Sequence, residues 1–353
     1  MGYKRGRGAQ IHVKNRFEKN SYENWYEDYT HLGLNEHSQK PITEIIEVHP
    51  KSIVNKVTSP DIGPGYSLNP YQGCEHGCIY CYARNSHQYW GYDAGLDFET
   101  KILVKKNAPQ LLDQFLKKHT SDGKTIMLSG NTDCYQPIEK KLQITRELLH
   151  VFYKHKHPVG IITKNALIQR DIDILEKLAG ENLVKVVQTV TSLDNRIKNI
   201  LEPRTASIQK RLETIELFTS KNIPVQVMMG PIIPAINNYE ILKIAEETAK
   251  RGAYWMIFTV LRLNGQIGDV FKDWVYKNFP DRADKIINQV ADCHGGKIND
   301  SRWGKRIKGD GKIAENIHQT VELARRKYYA HKPHPLMDFS KFELLKNPQL
   351  TLF

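Results

Sequence analysis

The sequence predicts an α/β fold, a partial (β/α)6 TIM-type barrel with an irregular N-terminal arm and a mostly helical C-terminal extension. Short β-branched apolar runs alternate with amphipathic segments, which is the pattern of right-handed βαβ units. About six such units fit between residues 51 and 265, too few to close an eight-stranded barrel. Polar residues follow the predicted strands, as they do at the carboxyl-terminal rim of parallel barrels.

Each element is predicted from its own pattern. Apolar runs predict strands at residues 125–130, 159–163, 184–192, 225–230 and 255–261, after a short strand at 43–48. Apolar stripes at helical spacing predict helices at residues 109–119, 143–155, 171–179, 208–221, 239–250 and 314–330. In the first of these helices Leu112, Phe115 and Leu116 share one face. Asp171 is expected to cap the helix that it opens.

The alternation of strands and helices divides the chain into three parts. Residues 1–50 are polar and charged, and they are predicted to form a basic N-terminal arm. Residues 51–265 carry the β/α alternation and are predicted to form the core barrel. Residues 266–353 contain helices around a basic, glycine-rich loop at 295–312, and we expect this C-terminal extension to cover the open side of the barrel.

Composition and charge limit the classes of function. A hydrophobic content of 40% and a charged content of 25% are typical of a soluble domain with a real core. The chain has no run of about 18 apolar residues, so no membrane span is expected, and we predict a cytoplasmic protein. The net charge of +12 favours a polyanionic partner such as a nucleic acid. A basic surface that only serves solubility is the alternative.

Three of the five cysteines lie close together in one short segment, NPYQGCEHGCIYCYAR. The spacing of Cys74, Cys78 and Cys81 allows three thiolates to hold three irons of an iron–sulfur cluster, which leaves one iron without a protein ligand. A structural zinc site is the alternative, but such sites normally take four ligands in two separated pairs. A disulfide framework requires paired cysteines and a secreted context.

With Tyr80 directly before the third cysteine, this segment resembles the radical S-adenosylmethionine (SAM) superfamily. The resemblance implies a [4Fe–4S] cluster on Cys74, Cys78 and Cys81, with SAM chelated by the open iron. It also implies reductive cleavage of SAM to a 5′-deoxyadenosyl radical, which abstracts hydrogen from a substrate. A flavodoxin- or ferredoxin-type electron donor is expected. Nothing in the sequence indicates the oligomeric state.

Further motifs resemble the spore photoproduct lyase-like branch of that superfamily, whose members often carry a DNA repair photolyase label. The resemblance spans residues 50–265, and its motifs are SGNTDCYQPIE (129–139), ITKN (162–165), LEPRTASIQKRL (201–212) and GPIIP (230–234). It implies a set of SAM-binding positions at the ends of successive strands. These are Tyr80, Thr132, Asp133, Thr163, Lys164, Thr189 or Thr191, Arg211 and Gly230.

The chemistry of these residue types suits the cofactor. Lys164 is expected to pair with the SAM carboxylate and Asp133 to accept from its amino group or ribose. A solvated loop lysine and a helix-capping aspartate are the alternatives. Glu202 and Arg211 either form a structural salt bridge, or Arg211 reaches the SAM carboxylate.

Two catalytic candidates follow Asp133 in the sequence. Cys134 is a candidate hydrogen donor, although the cysteine of the spore photoproduct lyases precedes the aspartate, and a packed small residue is the alternative. Tyr135 is a candidate for stacking on adenine or relaying a hydrogen. Arg84 and His87 are candidates for screening the cluster charge or meeting an electron donor.

The sequence therefore predicts a radical SAM enzyme whose substrate is a nucleic acid. Two alternatives stay open. One is modification of a peptide or a small metabolite by the same chemistry, and the other is a non-enzymatic iron–sulfur redox sensor that binds DNA.

Overall fold

The structure, a computed structural model, describes Lys4 and residues 6–17, 42–63, 65–119 and 122–346. Much of the arm predicted over residues 1–50 lies outside the described residues. The part that is described runs along the segment that follows the cysteines, where the backbone amides of Gly8 and Ala9 donate to the Glu99 carboxylate at 3.0 and 2.8 Å.

Six parallel strands form the main sheet, and they lie side by side in chain order. They are β3 (Gly65–Leu68), β6 (Ile126–Leu128), β7 (Val159–Thr163), β8 (Val184–Thr189), β9 (Val225–Ile232) and β10 (Trp255–Val260). A seventh strand, β2 (Val54–Val57), pairs antiparallel with β3 at one edge. The parallel pairing of six strands joined by helices confirms the predicted fold class.

A second, three-stranded sheet carries the cysteine segment. Its order is β1 (Glu44–Glu47), β5 (Lys101–Val104) and β4 (Tyr71–Gln72). β1 is the short strand predicted at 43–48, and it pairs in parallel with β5. Because β4 ends at Gln72, the cysteine segment leaves this sheet directly and crosses the carboxyl-terminal ends of the main strands.

Most helices of the barrel cover the outer face of the main sheet, whereas α1 (Asp97–Thr100) and α6 (Asn195–Leu201) lie at the cysteine segment. Those on the outer face are α2 (Ala108–Lys118), α3 (Glu139–Leu142), α4 (Ile144–Lys154), α5 (Ile172–Gly180), α7 (Ile208–Ser220) and α8 (Ile241–Lys250). The C-terminal part adds α9 (Ile267–Asn278), α10 (Ala283–Asp292), α11 (Gly311–Tyr328) and α12 (Ser340–Lys346). Within the described ranges, each helix is too short or too polar to cross a lipid bilayer.

The main hydrophobic core lies between the sheet and these helices. Alternate residues of the strands, such as Leu128, Ile161, Val186 and Val227, are fully buried in it. Since side chains alternate along a strand, the residues between them face the interior of the partial barrel. Those interior positions are where the polar site described below is built.

One capping prediction is wrong. Asp171 occupies the position before α5, but its side chain makes no capping hydrogen bond. Its carboxylate instead accepts from the Tyr135 hydroxyl at 3.0 Å and from Arg146 and Arg170 at 3.1 and 2.8 Å. A buried carboxylate is stabilised more by two guanidinium groups than by a backbone amide, because the charges offset its loss of hydration.

Candidate active site

The three clustered cysteines lie in a loop that two other parts of the chain hold in place. Cys74 and Cys78 are 6% and 7% exposed, Cys81 is partly exposed, and all three are free thiols. The Cys74 amide donates to the Phe98 carbonyl oxygen at 2.8 Å, and the Ile79 amide donates to the Leu201 carbonyl oxygen at 3.0 Å. The loop is therefore tied to α1 and to the end of α6.

The spacing of the three thiols suits a cluster better than a single metal ion. A tetrahedral zinc ion with bonds of about 2.3 Å holds its sulfurs roughly 3.8 Å apart. Cys74, Cys78 and Cys81 are not among the described groups whose ligand atoms all lie within 4.8 Å of one another. At least two of the three sulfurs therefore lie farther apart than one tetrahedral ion allows, and three thiols on one anchored loop fit the three irons of a [4Fe–4S] cluster.

Tyr80 is held in place by a buried hydrogen-bond network that is centred on Glu202. Its hydroxyl donates to Glu202, and Thr191 Oγ1 donates to the same carboxylate oxygen at 2.6 Å. Arg211 binds the second oxygen of Glu202 at 2.5 Å. Glu202 and Arg211 are fully buried, so the salt bridge that the sequence allowed is formed in the interior.

The other nitrogens of Arg211 also donate hydrogen bonds to protein atoms. Its Nε donates to the Ala206 carbonyl oxygen at 3.1 Å, and Nη1 donates to the Thr189 carbonyl oxygen at 3.2 Å. Burial on its own would raise the pKa of Glu202, but Arg211 and Lys164 outweigh it and lower that pKa to about 2. The structure therefore gives Arg211 the role of holding Glu202 and not, as also predicted, of reaching the cofactor carboxylate.

Lys164 is a half-buried cation without an ion pair among the described residues. The neighbouring carboxylates of Asp133 and Glu202 pair with His76 and Arg211 instead. The Lys164 ammonium lies 5.9 Å from the centre of the Tyr80 ring. Burial alone would lower its pKa, but Cys78, Glu202 and Asp133 raise it above the usual value, so the group stays charged. A charged, unpaired ammonium beside the cysteine loop is suited to a carboxylate ligand.

Thr189 and Gly230 line the interior of the partial barrel beyond Lys164. The Thr189 hydroxyl is buried and has no hydrogen-bond partner among the described residues. Thr189 pairs in register with Met228, and Gly230 lies on the same face two residues further along β9. A Cβ at Gly230 would lie 2.9 Å from Met228 Sδ and 3.1 Å from Thr259 Oγ1, so these neighbours leave little room for any side chain at this position.

Thr132 and Asp133 form hydrogen bonds with other residues of the chain. The Thr132 hydroxyl donates to the Tyr71 carbonyl oxygen at 2.6 Å. The Asp133 carboxylate accepts from Thr163 Oγ1 at 2.8 Å and from the Lys164 amide at 2.9 Å, and it lies 3.3 Å from His76 Nδ1. Burial would raise the pKa of Asp133, but His76 and the backbone donors lower it to about 2. Asp133 therefore joins the ends of β6 and β7 to the cysteine loop.

The two catalytic candidates after Asp133 are not at the site. Cys134 and Tyr135 are fully buried in the main hydrophobic core, on the side of the sheet that faces the helices. The Tyr135 hydroxyl donates to Asp171 at 3.0 Å and is thereby held away from the barrel interior. Their predicted roles as hydrogen donor, adenine-stacking group and relay are wrong, because the turn after β6 directs both side chains outward.

Arg84 and His87 are buried as well, which removes them from contact with an electron donor. Arg84 donates to the Cys78 carbonyl oxygen at 3.0 Å and forms a buried ion pair with Glu99 at 2.5 Å. Its role is to fix the backbone of the second cysteine. Glu99 and His76 were not identified from the sequence; His76 lies inside the cysteine motif, which was the available signal, whereas nothing local marks Glu99.

A family model and several known proteins match the chain in sequence. The sequence profile of the Radical SAM superfamily matches residues 68–248. The uncharacterized protein MJ0683 of Methanocaldococcus jannaschii is 30% identical over 248 residues, which is 70% of this chain and 88% of that protein. The uncharacterized protein Rv2578c of Mycobacterium tuberculosis is 29% identical over 238 residues, 67% and 70% of the two chains.

Solved structures share the fold at low sequence identity. A spore photoproduct lyase complexed with dinucleoside spore photoproduct superimposes with a TM-score of 0.59 at 13% identity, over 81% of this chain and 79% of that one. A variant of that lyase with bound AdoMet and the same dinucleoside gives 0.61 at 13% identity, over 86% and 91%.

Proposed function

The chain belongs to the radical SAM superfamily, and from this premise we propose that Cys74, Cys78 and Cys81 hold a [4Fe–4S] cluster beside a SAM site on the interior of the barrel. The chain is thus an enzyme of that superfamily. The observation that carries the proposed site is the unpaired, charged Lys164 ammonium next to a loop with three free thiols. A bound anion is the partner that this arrangement lacks.

Three residues are proposed to bind SAM directly. Lys164 would pair with its carboxylate, since an ammonium and a carboxylate form a charge-assisted hydrogen bond. The Thr189 hydroxyl, which has no partner in the described structure, would bind a ribose oxygen. The backbone at Gly230, which carries no side chain of its own, would approach the adenine.

The remaining predicted residues are proposed to hold this arrangement. Thr132 and Asp133 fix the ends of β6 and β7, and the carboxylate of Asp133 sets the position of the Lys164 backbone. Tyr80, Thr191 and Arg211 converge on Glu202 and fix the loop before the third cysteine. When bound, the cluster and SAM supply reductive carbon–sulfur cleavage and hydrogen abstraction. The buried walls of the site exclude water from that chemistry.

The proposed substrate is a nucleic acid. The net charge of +12 supports a polyanionic substrate. The lyase of the same fold binds a dinucleoside, which supports the same class by analogy. A flavodoxin- or ferredoxin-type protein is proposed as the electron donor, and a cytoplasmic location would suit both partners.

The test of the proposed chemistry uses the native cysteines as matched controls. The protein is reconstituted anaerobically with iron and sulfide, reduced with dithionite and supplied with SAM, and 5′-deoxyadenosine is measured. Cys78→Ala is expected to lose cluster absorbance and product. Cys293→Ala, which removes a buried thiol distant from the loop, is expected to keep both.

The outcomes separate the proposed enzyme from a sensor. Product from the unaltered protein and from Cys293→Ala, but not from Cys78→Ala, supports the proposal. A fully loaded, reduced cluster that never yields 5′-deoxyadenosine would contradict it. Equal iron content in all three proteins would contradict the assignment of Cys78.

A further inference from the structure

A half-buried cation without an ion pair also occurs at the rim of the barrel, beyond the proposed SAM site. Arg262 follows β10; its side chain is partly exposed, and its Nε is buried without a hydrogen-bond partner among the described residues. No carboxylate in those residues lies within ion-pair distance of its guanidinium. The buried Nε has lost its hydration without gaining a protein acceptor, so a ligand acceptor would stabilise it.

The carboxylates nearest to Arg262 already accept hydrogen bonds from other residues. Asp61 accepts from the Gly304 amide at 2.6 Å and binds the Arg306 guanidinium. Asp300 accepts from the Arg302 amide at 2.9 Å and from its guanidinium at 2.6 Å. The region around Arg262 therefore holds one more positive charge than its carboxylates neutralise.

Two unpartnered acceptors lie near Arg262. Leu261 and Leu263 are buried in a hydrophobic cluster, so in this extended segment Arg262 and Asn264 face the other side. Asn264 Oδ1 is buried without a partner, and so is Oδ1 of Asn85, whose Nδ2 donates to the Asn264 carbonyl oxygen at 2.6 Å. The Arg262 guanidinium thus offers a donor for an anion, and the two asparagine oxygens offer acceptors for neighbouring N–H or O–H groups.

The backbone around Arg262 is held rigidly by the C-terminal loop. The Val260 amide donates to the Ile307 carbonyl oxygen at 2.9 Å, and the Leu263 amide donates to the Ile298 carbonyl oxygen at 3.3 Å. His294 Nε2 lies 2.6 Å from the Leu261 carbonyl oxygen. Residues on both sides of Arg262 are therefore anchored, and a rigid anchor lowers the entropy cost of binding a ligand.

Arg262 adjoins the proposed cofactor site without being part of it. Thr259, which lies 3.1 Å from a Cβ placed at Gly230, precedes Arg262 by three residues on the same strand end. A ligand at Arg262 would sit nearer the mouth of the barrel than one at Gly230. That is where a substrate, and not the cofactor, has to bind.

An exposed aromatic ring in the C-terminal loop favours a nucleic acid as the ligand of Arg262. Trp303 is 57% exposed, and the Arg306 guanidinium stacks on its ring at 3.5 Å from the centre. Arg306 is itself fixed by Asp61 and by Ser59 at 2.8 Å. A guanidinium that binds phosphate next to an aromatic face that stacks on bases is the usual arrangement for unpaired nucleotides.

We propose that Arg262 binds one backbone phosphate of a single-stranded nucleic acid substrate at the mouth of the barrel. The inference rests on the proposed function, since it names the substrate contact of that same enzyme. The C-terminal loop, residues 295–312, is in this view part of the substrate site as well as a cover for the edge strand β10.

Binding of a labelled oligonucleotide tests this contact. Fluorescein-labelled single-stranded 12-mers of DNA and of RNA are titrated with the reconstituted protein at several salt concentrations. Arg262→Gln is expected to weaken binding about tenfold and to reduce the slope of log affinity against log salt by about 0.7, the value for one lost phosphate contact on a single strand.

A matched variant controls for net charge. Arg326→Gln makes the same change at an exposed arginine of α11 and is expected to leave the salt slope unaltered. A structural role is tested by thermal unfolding, because removing an unpaired charge does not destabilise a protein. Arg262→Gln is therefore expected to melt no lower than the unaltered protein.

The results decide for or against the contact. Equal losses of affinity in the two variants, an unchanged slope in Arg262→Gln, or a clear drop in its melting temperature would each overturn the proposal. Binding of an acidic peptide in place of either oligonucleotide would overturn the substrate class. Formation of 5′-deoxyadenosine by the unaltered protein, measured without oligonucleotide, reports separately on the proposed function.

Discussion

Two cations near Glu202 differ in how they are neutralised, and the difference is the reason why Lys164 is the proposed ligand-binding group. Arg211 has protein acceptors for all three of its nitrogens, so it stabilises the fold. Lys164 has no ion pair in the described part of the chain, although its pKa is raised by Cys78, Glu202 and Asp133 against the effect of burial. At the scale of single residues, an unsatisfied buried charge marks function more reliably than a satisfied one.

Replacing Lys164 by methionine is expected to weaken SAM binding. Loss of one charge-assisted contact costs about 2 kcal/mol, or roughly a thirtyfold rise in the dissociation constant. Equilibrium dialysis of SAM against the reconstituted protein measures it. The control is Lys185→Met, which removes a half-buried lysine at the start of β8, at the opposite end of the strand from Thr189. Similar affinities for the two variants would contradict the assignment of Lys164.

The sequence predicted which strand ends carry the site but not which side chains face it. Lys164 and Thr189 lie at the site because they fall on the interior face of their strands. Cys134 and Tyr135 follow Asp133 directly, yet the turn after β6 sends them into the core. Proximity in sequence cannot separate these cases, because neighbouring side chains along a strand point to opposite faces and the conformation of the turn that follows is not visible in the pattern.

At the scale of elements, the cysteine loop depends on contacts that are distant in sequence. Glu202, at the end of α6, binds Tyr80 of the loop, Thr191 beyond β8 and Arg211 of α7. One buried carboxylate therefore joins the cluster loop to two helices and a strand. Breaking its ion pair would affect the loop and the barrel together.

Arg211→Met is expected to destabilise the protein by about 3–5 kcal/mol, because it leaves Glu202 buried without its countercharge. Thermal unfolding followed by circular dichroism measures this loss, and iron content reports on the loop. Lys210→Met, on the next residue, removes an exposed pair with Glu213 and is expected to cost less than about 1 kcal/mol.

The double variant Arg211→Met, Glu202→Gln tests the cause. Neutralising Glu202 is expected to restore part of the lost stability, since the buried charge is then gone. A double variant that is as unstable as the sum of the two single changes would contradict the pairing.

Five strands of the main sheet were predictable because each is an apolar run that the local pattern reveals, whereas β2 and β3 were not among the predicted strands. β7 was predicted at its observed bounds, Val159–Thr163, and β8 starts where predicted, at Val184. β4 has two residues, and β5 follows a helical turn without a break, so neither has a pattern of its own. Their strand character comes from pairing with each other, which is a tertiary effect.

At the scale of the whole molecule, the C-terminal part of the chain binds two separate regions of the barrel. The loop at 295–312 is anchored along the end of β10. Further on, α12 packs against the region between α4 and β7, where Phe342 is fully buried and its ring lies 4.8 Å from that of His157. Lys346 adds a hydrogen bond to the Lys117 carbonyl oxygen at 2.6 Å. The barrel and this segment are therefore expected to unfold together.

His157 makes that packing sensitive to acid. Burial lowers the pKa of His157 to about 4, with His119 nearby adding to the shift. The pKa of an unfolded histidine is about 6.5, so between these values the unfolded chain binds a proton that the folded chain resists. Stability is therefore full above pH 6.5 and falls as the pH drops toward 4, by about 2 kcal/mol at pH 5 from this residue.

His157→Leu is expected to reduce the loss of melting temperature between pH 7.5 and pH 5.0, because leucine keeps the apolar contact with Phe342 and has no proton to bind. Part of the loss is expected to remain, since burial also lowers the pKa of His87 to about 4. His150→Leu, at an exposed histidine of α4, is the matched control and is expected to retain the full loss. An identical pH dependence in His157→Leu and the unaltered protein would show that α12 does not depend on a neutral His157.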